Sequence, residues 1–174
     1  KSLLRHKLAV STVAEFEHGT FRPVIEDATV DAASVRRVLV VSGKFHYTLL
    51  EARAAAGRED LAIVRLEQLY PFPAQELAAA IARHPNATEV CWVQEEPQNM
   101  GGWRHLRHRL EGILPATTTL RCIARPSASS TATGFYVMHQ QQEKALLDDA
   151  LSATTKATAA TGTKPAKPAS GGNR

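Results

Sequence analysis

Residues 37–42 read RVLVVS, an apolar and largely β-branched run without alternation. Three further runs of this kind follow it, at residues 61–66 (LAIVRL), 88–94 (TEVCWVQ) and 120–124 (LRCIA). Strands that helices cover on both faces have this nearly continuous apolar character, whereas strands with one wet face alternate apolar and polar residues. The four runs therefore predict four buried strands.

The segments beside these runs have the apolar spacing of helices. Four sets of residues carry it: Tyr47, Leu50 and Ala54; Leu77, Ala80 and Ile81; Trp103, Leu106, Leu110 and Ile113; and, after His139, Leu146, Leu147, Ala150 and Leu151. Gly57 can end the first helix and Pro73 can begin the second. Strands that alternate with helices predict the α/β class, with right-handed crossovers and a mainly parallel sheet covered by helices on both faces.

The ends of the chain lack this rhythm. Residues 1–35 contain one hairpin candidate, around residues 21–25, and we expect them to be an arm that packs on a neighbouring domain. Residues 36–152 form the predicted α/β domain. Residues 153–174 hold no aromatic or large aliphatic residue and are predicted to be disordered. The chain begins with a lysine, which suggests a piece of a longer polypeptide.

Charge and cysteine usage exclude several classes of protein. The chain has 21 Lys and Arg against 17 Asp and Glu, but Lys156, Lys164, Lys167 and Arg174 lie in the tail, which has no acid. The remainder is balanced, which argues against a nucleic-acid-binding groove. No apolar run approaches the ~20 residues of a membrane span. Cys91 and Cys122 lack CxxC spacing, so we expect small buried thiols in a reducing compartment.

Polar residues concentrate where the predicted strands end. In a parallel sheet those ends share one edge, where ligands bind near helix N-termini. Together they predict a site for a phosphate-bearing effector, composed of Ser42, Lys44, Gln94, Glu95, Asn99, Arg125 and Ser127. The alternative for Ser42-Gly43-Lys44 is an ordinary glycine turn, because the P-loop spacing is absent. Glu95 and Glu96 oppose an anion, and as neighbours in an extended segment they cannot readily share a proton.

No catalytic or metal-binding residue is predicted. His105 and His108 have the spacing of two metal ligands, but an exposed basic helix face is the favoured explanation. The hydroxyls of residues 127–133 lack a GxSxG motif, and no dinucleotide fingerprint occurs. Gly101-Gly102 allows close backbone approach, for which tight strand–helix packing is the simpler explanation.

Four strings together resemble a known family: VLVVSGKFHYTLLEAR (residues 38–53), IVRLEQLYPFP (63–73), WVQEEPQNMGGW (92–103) and RPSASSTATG (125–134), with His139 five residues beyond. They are similar to the C-terminal domain of the first component of 2-oxoglutarate dehydrogenase, a thiamine-diphosphate-dependent decarboxylase. LLRHKLAVS (3–11) and FRPVIED (21–27) resemble the segment that leads into that domain. The likeness extends over about residues 1–152.

The resemblance implies a transketolase-like subunit of three α/β domains that works as a homodimer. Such a subunit decarboxylates 2-oxoglutarate in the citric acid cycle and passes the succinyl group to the lipoyl arm of a succinyltransferase. Thiamine diphosphate and magnesium are expected on the two preceding domains, outside this chain. The implied compartment is the bacterial cytoplasm or the mitochondrial matrix.

Two roles stay open for the domain itself. It serves dimer and domain assembly, or it is a regulatory module that binds AMP or acetyl-CoA. A 2-oxoadipate dehydrogenase is the alternative at the level of substrate.

Overall fold

The computed structural model describes residues 3–153, which are organised around a five-stranded sheet. The strands are β1 (Val24–Ile25), β2 (Arg37–Val41), β3 (Leu61–Leu66), β4 (Glu89–Pro97) and β5 (Thr119–Arg125). They lie in the order β1-β3-β2-β4-β5. Strands β2 to β5 pair in parallel, and β1 pairs antiparallel with β3 at one edge. The prediction of a mainly parallel α/β sheet is confirmed.

Five helices accompany the sheet in the described part of the chain: α1 (Val13–His18), α2 (Phe45–Ala56), α3 (Ala74–Ala82), α4 (Trp103–Ile113) and α5 (Tyr136–Leu151). Helices α3 and α4 pack on one face of the sheet, in a core that includes Trp92. Helices α2 and α5 pack on the other face, against Leu39, Cys91 and Ile123. Both faces are therefore covered, as the continuous apolar strands predict. None of these helices combines the length and the apolar character needed to cross a membrane.

The helix ends follow from local sequence. Gly57 adopts the left-handed conformation, with φ 60°, and its N–H bonds to the last turn of α2, so it is the expected C-cap. Pro73 precedes α3 directly. Two details differ from the prediction: α5 begins at Tyr136, before His139, and α2 buries Phe45 and Leu49 rather than the predicted face.

The face of α2 was wrong for a physical reason. Phe45 is the first residue of the helix and fills the core, which rotates the buried stripe onto Leu49 and the aliphatic part of Arg53. Tyr47 lies instead at the margin, where its ring lies 5.1 Å from that of His6 and its hydroxyl accepts a hydrogen bond from Arg65.

The predicted hairpin around residues 21–25 is wrong. Val24 and Ile25 pair with Leu66 and Arg65 of β3, so this segment extends the sheet of its own domain. The buried Asp27 carboxylate continues the edge, because it accepts hydrogen bonds from the Ile63 N–H and from Arg53. The domain boundaries at residues 35 and 152 stay a prediction. The predicted disorder of the tail concerns mainly residues 154–174, which lie outside the described residues.

Candidate functional site

The sheet has one topological switch point, between β2 and β4. From β2 the chain crosses through α2 to β3 on one side, whereas from β4 it crosses through α4 to β5 on the other. Loops therefore diverge at the carboxyl ends of β2 and β4 and leave a crevice, the usual ligand position in such sheets. The crevice has a volume of about 430 Å³, and we call it the switch-point cleft. Residues 42–45, 92–96 and 101–102 line it, together with Leu69 and His105.

Four of the seven predicted site residues meet in the switch-point cleft: Ser42, Lys44, Gln94 and Glu95. Gly43, with φ 69°, turns the chain from β2 into α2. Lys44 is exposed, and its ammonium has no ion-pair or hydrogen-bond partner among residues 3–153. The N-terminal turns of α2 and α4 both border the cleft and add positive potential. Helix α2 has no side-chain cap, whereas the first N–H of α4, that of Trp103, donates to the Gln94 side chain. Glu95 and Glu96 on the same wall oppose this potential.

Gln94 has a structural task in this wall. Its side chain is buried, and its amide oxygen accepts hydrogen bonds from Trp92 Nε1 at 2.7 Å and from the Trp103 N–H at 3.0 Å. Its amide nitrogen donates to the carbonyl oxygens of Pro97 at 3.0 Å and Met100 at 2.8 Å. With both halves of the amide engaged, Gln94 holds the loop between β4 and α4 in one conformation.

The glycine pair before α4 is explained by packing. A Cβ on Gly101, which has φ 65°, would lie 3.0 Å from the Gln94 amide. A Cβ on Gly102 would lie 2.7 Å from the Trp92 ring. Close strand–helix packing, the simpler of the two explanations, therefore accounts for both residues.

Arg125 belongs to a second cleft at the same edge of the sheet. This edge cleft has a volume of about 460 Å³; its lining residues are Glu95, Glu96, Arg125, Thr131, Ala132, Thr133, Phe135, Tyr136 and His139. The Arg125 guanidinium donates to the Glu95 and Thr131 carbonyl oxygens and to Gln142. Its side chain therefore fastens the loop after β5.

Asn99 and Ser127 line a third cleft, with Trp103, Arg104 and Arg107. The Asn99 amide exchanges two hydrogen bonds with the backbone of Ala128, at 2.9 and 3.1 Å, and so joins the loops that follow β4 and β5. The predicted residues therefore share one edge of the sheet but are divided among three clefts. In β4 the pairing with β5 becomes irregular between Val93 and Pro97, and this irregularity helps to separate them.

Burial changes the protonation of one histidine and of both cysteines in the domain. Burial, with the nearby Arg65 cation, lowers the pKa of His46 to about 4, so this histidine is neutral at physiological pH. His105 contacts the Leu69 carbonyl oxygen. No group of three or more metal-ligating side chains occurs within residues 3–153. Burial raises the pKa of the Cys91 and Cys122 thiols to about 12, which leaves both protonated.

A buried ionic network at the opposite edge was missed from the sequence. Arg37, 0% exposed, bonds Glu89 at 2.5 Å and donates to the Ala150 and Ser152 carbonyl oxygens at the end of α5. Arg121 bonds Glu89 at 3.1 Å and Asp149 at 2.9 Å. One sequence signal could have revealed this network. Arg37 and Glu89 carry opposite charges and lie at the start of two strands that the apolar pattern predicts to be buried.

Comparison with known proteins bears on most of the chain. Residues 10–151 match the family described as 2-oxoglutarate dehydrogenase C-terminal. The chain is 44% identical over 153 residues to the 2-oxoglutarate dehydrogenase E1 component of Haemophilus influenzae, and 44% identical over 154 residues to that of Azotobacter vinelandii. It is 42% identical over 150 residues to the 2-oxoadipate dehydrogenase complex component E1 of the rat.

These alignments cover 84–87% of the chain but 16% of each relative. The chain thus spans about one sixth of the length of the curated relatives it matches. The matched segment includes all five strands of the sheet and all five α-helices, from α1 to the end of α5. This chain belongs to the family of 2-oxoglutarate dehydrogenase C-terminal domains.

Proposed function

We propose that this chain serves as the C-terminal domain of a decarboxylating subunit that acts on 2-oxoglutarate, and that it supports the assembly of that subunit. The relatives named as E1 components support the first part of this proposal. Because the chain corresponds to 16% of their length, we assign decarboxylation to the remainder of the subunit. We expect thiamine diphosphate and its magnesium to bind on the preceding part of the subunit, and we assign no catalytic step to residues 3–153.

The observation that carries the assembly role is apolar surface left uncovered. Helix α1 buries none of its residues, and Leu4, Val13, Phe16 and Phe21 of the arm are all exposed. A second group of exposed apolar side chains lies at residues 135–138. Apolar surface of this extent marks contact with further protein. We therefore expect the preceding part of the subunit and a second subunit to cover it.

A chimera tests this role directly. The C-terminal sixth of the Haemophilus influenzae relative is replaced by this chain, and 2-oxoglutarate decarboxylation is compared with that of the truncated relative. We expect the chimera to be active and the truncated form to be inactive or unstable. A folded chimera no more active than the truncated form would contradict the proposal.

The isolated chain provides the complementary measurement. It should show no decarboxylation and no calorimetric signal with thiamine diphosphate and magnesium. Saturable binding of the cofactor would contradict the division of labour proposed here.

Substrate choice between 2-oxoglutarate and 2-oxoadipate is expected to follow the host subunit. The identity to the rat relative, 42%, is close to the 44% identity to the bacterial ones. A second chimera, built on the rat relative, should keep the substrate preference of that host. A preference that followed this chain would place substrate recognition in the C-terminal domain and contradict the assembly role.

A regulatory function is the second candidate, and the switch-point cleft supports it. Lys44 and the uncapped N-terminus of α2 border a cleft large enough for a nucleotide phosphate. Lys44→Ala should weaken binding of AMP or acetyl-CoA about tenfold, or about 1.4 kcal/mol, without changing the thermal midpoint. Lys7→Ala, on the arm, is the matched control. Equal affinity in the two variants would leave residues 42–44 as an ordinary turn.

The wider assembly follows from the same proposal. We expect a homodimer whose product is passed to a lipoyl-carrying succinyltransferase, in the bacterial cytoplasm or the mitochondrial matrix. Relatives named as E1 components support membership of a multienzyme complex.

A further inference from the structure

The third cleft differs from the other two clefts of the carboxyl edge in its charge. It has a volume of about 300 Å³ and lies between the loop after β4, the start of α4 and the loop after β5. Glu95 and Glu96 line both the switch-point cleft and the edge cleft, whereas none of the described residues that line the third cleft is acidic. Its charged lining residues are Arg104 and Arg107. This cleft therefore suits an anion better than either of its neighbours.

The two arginines of the third cleft are available to a ligand. They lie three residues apart on α4, and therefore on the same side of the helix. Both are exposed, and the Arg104 guanidinium makes no hydrogen bond or ion pair with any of residues 3–153. Arg107 contacts Glu111 at 2.9 Å, in an exposed pair of a kind that contributes little to stability. Arg104 belongs to the first turn of α4, where the helix dipole adds positive potential.

Ser127 brings a hydroxyl group into the same cleft. This hydroxyl is exposed and makes no hydrogen bond with a described residue, whereas those of Ser130 and Thr133 bond carbonyl groups of their own loop. The next residue, Ala128, is held by both halves of the Asn99 amide, at 2.9 and 3.1 Å. The backbone beside Ser127 is therefore anchored to the loop after β4, while the hydroxyl stays open to solvent.

We propose that Ser127 is a site of phosphorylation and that Arg104 and Arg107 bind its phosphate. In the reaction, the Ser127 Oγ attacks the γ-phosphorus of a nucleoside triphosphate held by a protein kinase. The bond between Oγ and phosphorus forms, the bond between that phosphorus and the bridging oxygen of the β-phosphate breaks, and the nucleoside diphosphate leaves. The hydroxyl proton passes to the catalytic base of the kinase.

A phosphate ester supplies the anion that the third cleft lacks. It carries a charge of about −1.5 to −2 and three acceptor oxygens, which match the planar donor sets of two guanidinium groups. The first turn of a helix also favours a phosphate group. The modified loop is then tied to α4 as well as to Asn99, and the charge of the two arginines is neutralised. Phosphorylation thereby changes the charge of the carboxyl edge without a change of fold.

Phosphorylation of Ser127 is independent of the assembly role, because it concerns a cleft and not the exposed apolar surface. It is also distinct from the effector site beside Lys44, where the phosphate would belong to a free ligand. Each of the three can hold when the others fail.

Phosphorus-31 NMR of the 174-residue chain tests the contact between phosphate and arginines. A chain with Ser127→phosphoserine is compared with a chain with Ser129→phosphoserine. Ser129 is the matched control, because it is exposed in the same loop and does not line the third cleft. Two nearby cations stabilise the dianion, so the second pKa of the phosphate should be lower at residue 127 than at residue 129, by roughly half to one pH unit.

The double variant Arg104→Gln/Arg107→Gln identifies the groups that lower this pKa. It should raise the phosphate pKa at residue 127 to that at residue 129. The control Arg5→Gln/Lys7→Gln, which removes the same charge from the arm, should leave it unchanged. All four side chains are exposed, so circular dichroism should show the same fold in both variants. Equal pKa values at residues 127 and 129, or a value at 127 that Arg104→Gln/Arg107→Gln does not change, would overturn the assigned contact.

Phosphopeptide mapping by mass spectrometry tests the acceptor itself. The protein is isolated from its native cells, during growth and during starvation, with phosphatases inhibited. We expect phosphate on Ser127 in at least one of these conditions. A Ser127 without phosphate in both would overturn its assignment as a phosphorylation site, whatever the NMR titration shows.

Discussion

The two edges of the sheet hold similar charged residues and treat them in opposite ways. At the amino edge, Arg37 is buried and bonded to Glu89 and to the end of α5. At the carboxyl edge, Lys44 is exposed and Glu95 lines two clefts. The domain therefore uses the charges of the amino edge for its own stability and leaves Lys44 and Glu95 of the carboxyl edge open for binding. Arg125 is the exception at that edge, because it fastens the loop after β5.

Helix α5 connects the two edges and shows the same contrast along its length. Its last carbonyl oxygens accept hydrogen bonds from Arg37 and Arg58, where a cation also suits the negative end of the helix dipole. Its first turn carries the exposed apolar residues Tyr136, Val137 and Met138 and has no side-chain cap. One end is held by the domain, and the other is free to be held by a partner.

The largest effect is expected at the amino edge. Arg37→Met removes a buried cation, takes the donor from the end of α5 and leaves Glu89 with Arg121 alone. This should lower the free energy of unfolding by about 3–5 kcal/mol. Lys44→Met makes the same chemical change at the carboxyl edge and should alter it by less than about 0.5 kcal/mol. Urea denaturation of both variants measures the difference. Equal losses would remove the distinction between the edges.

The second effect concerns Gln94 at the carboxyl edge, whose buried side chain is hydrogen-bonded through both halves of its amide. Gln94→Met leaves Trp92, the Trp103 N–H and two carbonyl groups without partners and should cost about 2–3 kcal/mol. Gln98→Met, four residues further along the chain and exposed, should be nearly neutral. Differential scanning calorimetry of the two variants gives the comparison. A neutral Gln94→Met would show that the loop is held by other contacts.

The smallest effect is a pH dependence. The pKa of His46 falls to about 4 in the folded state, below the ordinary value of 6.5, so the unfolded chain binds more protons between these values. Stability is therefore fully present above pH 6.5 and falls as the pH is lowered towards 4. Because solvent reaches part of the ring, we expect a loss of about 1 kcal/mol at pH 5.

The variant His46→Gln checks this prediction in urea titrations at pH 5 and pH 7. It should lose less stability between these two values than the native chain. His84, whose pKa burial also lowers, is expected to supply part of the remaining slope. An unchanged pH dependence in His46→Gln would show that the histidine does not titrate as its burial indicates.

Much of the fold was accessible from the sequence because covered strands and amphipathic helices have distinct apolar patterns. The runs at residues 37–42 and 61–66 became strands at almost the same bounds, and the stripe from Trp103 to Ile113 became α4. The place of strand β1 in the sheet could not be predicted from the sequence, because a strand of two residues shows no periodicity. Its place depends on tertiary pairing with β3 and on the Asp27 carboxylate.

The sequence predicted where the candidate site lies but not the contacts that its residues make. Topology places all seven residues at the carboxyl edge, because parallel strands end there together. Whether Gln94 and Asn99 face a cleft or bond the backbone depends on loop conformation, which no short pattern encodes. The network around Arg37 was hidden for the same reason, since its partners are far apart in sequence.

Hydrogen–deuterium exchange along α5 tests the contrast between the two edges most directly. In a dilute, monomeric sample, the amides of residues 139–142, which begin with the bonded His139 N–H, are compared with those of residues 146–151. We expect exchange at the end held by Arg37 and Arg58 to be about a hundredfold slower than at residues 139–142. Equal protection of the two sets of amides, or greater protection of residues 139–142, would contradict this account. It holds that the amino edge stabilises the domain and that the carboxyl edge is left open for a partner.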